Sequence, residues 1–311
     1  MSNGMPFTPS TEQTAIAIAY KNKRLIADIV APRVPVGKMN FKYTVFNKND
    51  GLTVPDTQIG RKSTANQVEF GSSEETASVV DYGLSAVVPN DDIDNAPANY
   101  NPLNHTTESV TDLVLLSREI RVANLYNKAS NFGTHTDLAG AGQKHLDNPD
   151  FDFLPWLVER MDDMLMRANA MTLSRRVLTK MRSNKHVIKA YNGSLGDSGL
   201  VPTQFILDTL ELESINVGEA FINTAKKGKA AQLERAWQDN LALTYVDPLA
   251  NTTNGRMTFA MTAQYGDRVS SNRDVAAGLR GGKEVLVGET VHELAIAKDC
   301  GMLFTNALTP A

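Results

Sequence analysis

Cysteine is almost missing from this chain: its 311 residues contain one, Cys300. A lone thiol excludes an intramolecular disulfide framework and fits a reducing compartment. Long apolar runs are missing too, since none approaches the roughly 20 residues that span a bilayer. Met1-Ser2-Asn3-Gly4-Met5-Pro6-Phe7 has no basic flank leading into an apolar core, so no signal peptide is expected. The Asn-X-Ser/Thr matches at Asn104, Asn192 and Asn251 are therefore expected to carry no glycan.

A basic excess is also absent. Lys and Arg number 31 against 35 Asp and Glu, a net charge of −4, which disfavours a dedicated duplex-DNA binder. The distribution says more than the sum. Ser63 to Ser117 holds no Lys or Arg, but does hold Glu69, Glu74, Glu75, Asp81, Asp91, Asp92, Asp94, Glu108 and Asp112. Between Arg160 and Lys189 the sign reverses, with Arg160, Arg167, Arg175, Arg176, Lys180, Arg182, Lys185 and Lys189 outweighing Asp162 and Asp163. Such blocks suit either matched contacts, within or between chains, or two solvated faces.

Recognisable catalytic or ligand-binding patterns fail on inspection. His292-Glu293-Leu294-Ala295-Ile296 opens like a zinc-protease helix, but Ile296 replaces the second His and the run alternates like a strand. Gly281-Gly282-Lys283-Glu284 departs from a phosphate loop: Ala277 replaces the first Gly, and Glu284 stands where Ser or Thr would meet Mg²⁺. Asn90-Asp91-Asp92-Ile93-Asp94-Asn95 reads as a turn, because Ala96 and Pro97 break a calcium loop. Lys226-Lys227-Gly228-Lys229 reads as a solvated turn, and Cys300 has no base near it in sequence. No enzyme activity, cofactor or metal is expected.

What is present is an ordinary globular composition, 42% hydrophobic and 21% charged, arranged as helices followed by strands. A helix is expected over Glu12–Val30, ended by Pro32. From about Val34 to Val88 two strand-like runs, Phe41–Phe46 and Thr76–Val88, flank a polar stretch from Asn47 to Ser73. A lone hairpin is marginal in water, so this arm needs something to pack on. After a turn-rich connector over Pro89–Asn101, the longest helix should cover Leu103–Asn127, with Val110, Leu113, Val114, Ser117, Ile120, Val122, Leu125 and Tyr126 giving a broad apolar surface. Thr134–Asp150 reads as loop. A helix from Asp152 carries its periodicity to Ala168, a third spans Ser174–Asn184, and Thr203 reads as the N-cap of a short one through Leu210. Strands then follow at Ile215–Val217, at Leu241–Tyr245 and Met257–Met261 around a hairpin-like loop (Asp247–Arg256), and as a final pair at Glu284–Val287 and Val291–Ala297. The pattern is α+β without βαβ alternation.

The order of segments resembles the major capsid proteins of tailed bacteriophages, which have the Hong Kong 97-like fold, over about residues 12 to 305. Ala31-Pro32-Arg33-Val34-Pro35-Val36-Gly37-Lys38 resembles the entry into that family's extended loop, and Val80-Asp81-Tyr82-Gly83-Leu84 its return strand. Ala170–Ser174, Val177–Met181, Phe205–Leu207, Ile215–Ala220, Trp237–Asp239 and Gly301–Phe304 follow in the family's order. The resemblance implies an N-terminal arm (1–36) and an extended β-hairpin loop, or E-loop (37–76). It further implies a peripheral domain (77–153 and 278–311) with a spine helix (103–127), and an axial domain (154–277).

It also implies hexamers and pentamers tiling an icosahedral shell around double-stranded DNA, assembled in the bacterial host cytoplasm. Portal and decoration proteins would be partners, with no membrane involved. The family often carries an N-terminal scaffolding segment; a start at Met1 favours a separate scaffold, or none. Residues expected at intersubunit contacts are Lys48, Arg61, Lys62, Glu69, Glu74, Glu75, Arg175, Arg176, Lys180 and Arg182. The alternatives are an encapsulin-like compartment of the same fold, a soluble enzyme with dispersed catalytic residues, and a DNA-binding module disfavoured by charge.

Overall fold

The computed structural model describes residues 9–45, 54, 56–61, 63–65, 67, 73–193, 196, 198–226, 228–252 and 256–310. In chain order the elements are α1 (Thr11–Ala19), α2 (Ala27–Val30), β1 (Arg33–Pro35), β2 (Asn40–Val45), β3 (Ser73–Ser78), β4 (Val80–Pro89), α3 (Asn90–Asp94), α4 (Pro102–Asn127) and β5 (Thr134–Asp137). Next come α5 (Phe153–Asp162), β6 (Ala170–Ser174), α6 (Arg175–Arg182), α7 (Lys185–Asn192), α8 (Thr203–Thr209), β7 (Ser214–Gly218), β8 (Phe221–Asn223) and β9 (Leu233–Arg235). The chain ends with β10 (Leu241–Thr244), β11 (Ala260–Gln264), β12 (Val269–Val275), β13 (Gly282–Ala295) and β14 (Gly301–Thr305).

Two five-stranded sheets organise these elements. One runs β5-β14-β10-β6-β7, with parallel outer pairs and an antiparallel centre. Both of its faces are buried, which is why β10 reads Leu-Ala-Leu-Thr without a polar face. Leu241, Leu243, Met302 and Phe304 pack with α5, α6, α7 and α8, while Ala242 and Leu303 point into a second core. That second core holds Tyr126, Phe132, Trp237 and Phe259 in edge and stacked ring contacts. The other sheet runs β1-β11-β13-β12, with β4 on the free side of β13.

Helix α4 lies across this second sheet. At 1.5 Å per residue its 26 residues make a rod of roughly 39 Å. Pro102 fills its first turn, and the Asn101 side chain caps it by accepting from the Leu103 and Asn104 amides. Its buried face differs from the expected one. Leu113 and Ser117 face solvent, whereas Arg118 and Glu119 lie inside.

Several other expectations need correction. The helix foreseen over Glu12–Val30 is two, α1 and α2. The side chains of α4 occupy the intervening segment's polar groups: Asp112 accepts from Tyr20 Oη and Asn22 Nδ2, and Glu119 accepts from the Ile26 and Ala27 amides. The Val34–Val88 arm is not one unit, because β1 and β4 belong to the second sheet and only β2 and β3 form the hairpin. That hairpin does find packing in its own chain, where Phe41 and Tyr43 meet Val34, Val36, Val79, Met261 and Ala263.

The Pro89–Asn101 connector contains α3, and the Thr134–Asp150 loop contains β5. Helix α5 stops at Asp162, Ser174 caps α6, and the cap position of α8 is Pro202 instead of Thr203. The strands around Asp247–Arg256 lie in different sheets, and the Phe259 amide donates to the Tyr245 carbonyl at 2.8 Å between them. The final strand pair is a single 14-residue strand, β13, whose midpoint Gly288 faces Gly83. Strand β12 and the β8–β9 hairpin had no counterpart in the sequence reading. The sheets also cut across the boundaries at 153/154 and 277/278: β5 and β14 join the β6–β10 sheet, and β11 and β12 join the β13 sheet.

Candidate functional site

Beneath the N-terminal segment lies an ionic seam built on α4, buried at Arg118 and Glu289 and reaching solvent at Asp28. Arg118 is 1% exposed and pairs with Asp28, while also donating to the Ala31 carbonyl at 3.0 Å and Thr262 Oγ1 at 2.9 Å. Arg33 bridges Asp28 (2.7 Å) and Glu289 (2.9 Å), Arg268 reaches Glu289 at 3.2 Å, and Arg121 reaches Glu293 at 2.8 Å while lying over the Tyr82 ring. Buried charge is tolerated only when paired and hydrogen-bonded. Here each guanidinium has a carboxylate, and the seam ties α2 and strand β1 to α4 and β13.

Ionisation follows the same logic. Burial pushes the Asp28 carboxyl upward, but the Arg118 and Arg33 guanidiniums outweigh it and hold the pKa below its ordinary value. Burial acts to lower the Arg33 pKa, and Glu289 and Asp28 reverse that to a net rise. Burial and neighbouring Arg33 leave Arg118 below its ordinary value, despite its three carboxylate neighbours. Glu119, fully buried, accepts from the Trp237 indole N–H at 2.6 Å and from the Ile26 and Ala27 amides at 3.1 and 2.8 Å. Burial nevertheless raises its pKa.

A cleft of about 650 Å³ opens beside the seam, with Ile18, Leu25, Ile29 and Leu115 among the residues lining it, but the guanidiniums of Arg33, Arg118 and Arg268 on its walls are already paired. Among the described residues there is no cluster of three or more His, Cys, Asp or Glu fit to hold a metal. His292 lies on β13 with Nδ1 2.6 Å from the Ser78 carbonyl, the strand context foreseen for it. Cys300 is buried and its thiol is pushed up to about 11 by burial, then by Asp299, so it stays protonated at neutral pH. No helix among the described residues is long and apolar enough to cross a membrane.

The charged residues expected at contacts are mostly engaged within the subunit. Glu74 pairs with Lys42 at 2.8 Å, and Glu75 accepts from Tyr43 Oη at 2.6 Å. Arg175 pairs with Glu219, Arg176 with Asp239 at 2.8 Å, and Arg182 donates to the Val201 carbonyl at 2.6 Å. Lys180 and Arg61 are exposed, whereas Lys48, Lys62 and Glu69 lie outside the described residues. Arg175, Arg176, Lys180 and Arg182 share α6, and Glu74 and Glu75 share β3; among the described residues no ion pair joins the two groups. The sequence reading missed Asp28, Arg33, Arg118, Glu119, Arg268, Glu289 and Glu293. One signal was available, since Val114, Arg118 and Val122 fall at i, i+4 and i+8 on the core stripe of α4.

No family model matches the chain. It is 48% identical over 309 residues to the major capsid protein of Pseudomonas phage JBD67, covering 99% of each. Its structure superposes on a phage-related protein of Bordetella bronchiseptica RB50 with a TM-score of 0.76 at 19% identity, covering 98% of this chain and 99% of that one. The capsid structure of the cyanophage P-SCSP1u gives a TM-score of 0.55 at 9% identity, covering 98% and 90%.

Proposed function

The chain belongs to the phage major capsid proteins of the Hong Kong 97-like fold, and on that premise we propose that its copies join as hexamers and pentamers into an icosahedral shell around the double-stranded DNA of a tailed phage. The observation that carries this reading is the 48% identity extending over 99% of both chains. Fold alone does not separate a virion shell from an encapsulin-like compartment; full-length identity to a phage chain favours the virion.

In this reading the second sheet with α4 is the core of the peripheral domain. The β5-β14-β10-β6-β7 sheet with α5 to α8 is the axial domain, meeting its copies at the capsomer centre. The loop between β2 and β3 lies over an adjacent subunit. Scaffolding, portal and decoration proteins are the further partners, and the host cytoplasm is where assembly takes place. A net charge of −4 suits a container, because a strongly basic lining would hold packaged DNA through counterion release and slow its exit.

Light scattering and negative-stain microscopy of the purified chain test the proposal. Closed shells with five- and six-fold capsomers are expected. A monodisperse monomer or dimer under every condition would refute it.

A further inference from the structure

Strand β4 forms an open side of the second sheet. It pairs with β13 alone, in an unbroken register from Pro89↔Gly282 to Val80↔Val291. Neighbouring bonds show which way its backbone turns. The Asn90 amide donates to the Gly281 carbonyl, toward β13. The Thr290 carbonyl, opposite Asp81, accepts from Tyr265 on the other side of β13, where β11 and β12 pair. Bonded and non-bonded pairs alternate in an antiparallel ladder, so Val80, Tyr82, Leu84, Ala86 and Val88 bond inward. Asp81, Gly83, Ser85 and Val87 aim N–H and C=O outward, and among the described residues those groups have no backbone partner.

Both ends of this row are closed. The Val79 amide already donates to the Met39 carbonyl, and Pro89 has no amide to give. The open groups therefore run from Asp81 to Val87, symmetric about Leu84. Exposed edges are normally blunted by lysines, bulges or short length. Strand β4 has 10 residues, no Lys or Arg and no bulge along its ladder. Its side chains are unfinished too. Val80 and Leu84 lie opposite the fully buried Val291 and Val287, yet remain 47% and 44% exposed.

We propose that β4 pairs antiparallel with β4 of a second copy about a two-fold axis at Leu84, joining two second sheets into one. In this register Asp81 meets the partner's Val87 and Gly83 meets the partner's Ser85 as hydrogen-bonded pairs, which uses every open group. Leu84 meets the partner's Leu84, Val80 the partner's Val88 and Tyr82 the partner's Ala86 as the closer, non-bonded pairs. The exposed Val80 and Leu84 then continue the apolar layer across the axis. Neighbouring registers fit worse. An axis at Gly83 sets Val87 against the closed Val79 amide, and one at Ser85 sets Asp81 against Pro89.

The charge pattern permits this pairing. Asp81 is the one charged residue of β4, and its two copies lie about 20 Å apart along the strands, beyond a Debye length at physiological salt. The proposal rests on the shell reading and adds a contact to it. Rings of five or six subunits close through heterologous contacts, whereas a two-fold contact is isologous. The β4 pair therefore links one capsomer to the next.

Single cysteines test the axis in particles assembled under reducing conditions and then oxidised. A non-bonded pair sets Cα atoms roughly 4.5 Å apart, within disulfide range, so Leu84→Cys should give a disulfide-linked dimer on a non-reducing gel. Val80→Cys should not, because its copies lie about 27 Å apart. Both positions are exposed and Cys300 is buried, so the core and the background are left intact. Adding Ser85→Pro to Leu84→Cys removes an open amide but no bond of the β13 ladder, and should abolish the dimer while the subunit still unfolds cooperatively. A Val80→Cys dimer as strong as that of Leu84→Cys, a dimer that survives Ser85→Pro, or no Leu84→Cys dimer in particles or concentrated subunits would overturn the pairing. The unmodified chain is imaged in parallel. Its failure to form particles would remove the shell reading itself, whereas particles without the Leu84→Cys dimer remove only the β4 contact.

Discussion

Replacing Glu119 should loosen the N-terminal segment from α4. Glu119→Ala strips the acceptor from three donors, the Trp237 indole and the Ile26 and Ala27 amides. Each buried donor left unpaired costs about 1–3 kcal/mol, and the relief of no longer burying a carboxylate offsets part of the sum, so a loss of about 3–5 kcal/mol is expected. Glu119→Gln is the informative control. Its carbonyl can keep the Ile26 and Trp237 donors, which share Oε1, but its amide faces the Ala27 N–H. About 1–2 kcal/mol should be lost.

The pH dependence adds a second constraint. Burial raises the Glu119 pKa above 4.5, although the bonds from Trp237, Ile26 and Ala27 oppose it. A carboxyl with a raised folded pKa contributes stability that is complete below the unfolded value and is lost as pH rises through the folded one. Glutamine has no such contribution, so the wild-type advantage over Gln should shrink as pH rises from the ordinary glutamate range through the raised folded pKa. Urea unfolding of unassembled subunits, followed by tryptophan fluorescence, measures both. An Ala variant within about 1 kcal/mol of wild type, or a Gln gap that widens with pH, would refute the reasoning.

Two further outcomes are expected. If the acidic stretch Ser63–Ser117 meets the basic face of α6 on a neighbour, the double change Arg175→Glu and Arg176→Glu should lower particle yield and added salt should mimic it. Lys180→Glu, on the same exposed face, should act in the same direction, and unchanged yield in both variants would sink the idea. Gly218→Ala should destabilise the fold by about 1–3 kcal/mol or more, because a Cβ there would lie 2.1 Å from Trp237 Cγ and push the indole off Glu119. An unchanged urea midpoint would show that the indole can move without cost.

The sequence was most readable where one element follows one period. Helix α4, helix α6 and strand β2 appear close to where their patterns place them. Long-range partners were less readable. The α1–α2 break is imposed by Asp112 and Glu119, about ninety positions away, and nothing between Tyr20 and Ile26 announces it. Strand β13 looks like two strands because Gly288 interrupts its apolar run; its unity comes from β4 and β12 pairing on both sides. The charge blocks were visible, but not their partners. Arg175 and Arg176 face Glu219 and Asp239, whose proximity depends on β7 and β10 joining one sheet with β6.

The way β3 runs into β4 has a mechanical consequence. Only Val79 separates the hairpin strand from the ten-pair ladder between β4 and β13. A pull on the arm is therefore directed along the axis of β4, and it loads those bonds in shear, all at once. Peeling would break them one after another from an end. A subunit held by its arm while internal pressure pushes the wall outward would resist as a lap joint does, with strength that grows with overlap length. The long strand β13 then serves as a spar that passes tension from the arm into the body of the subunit.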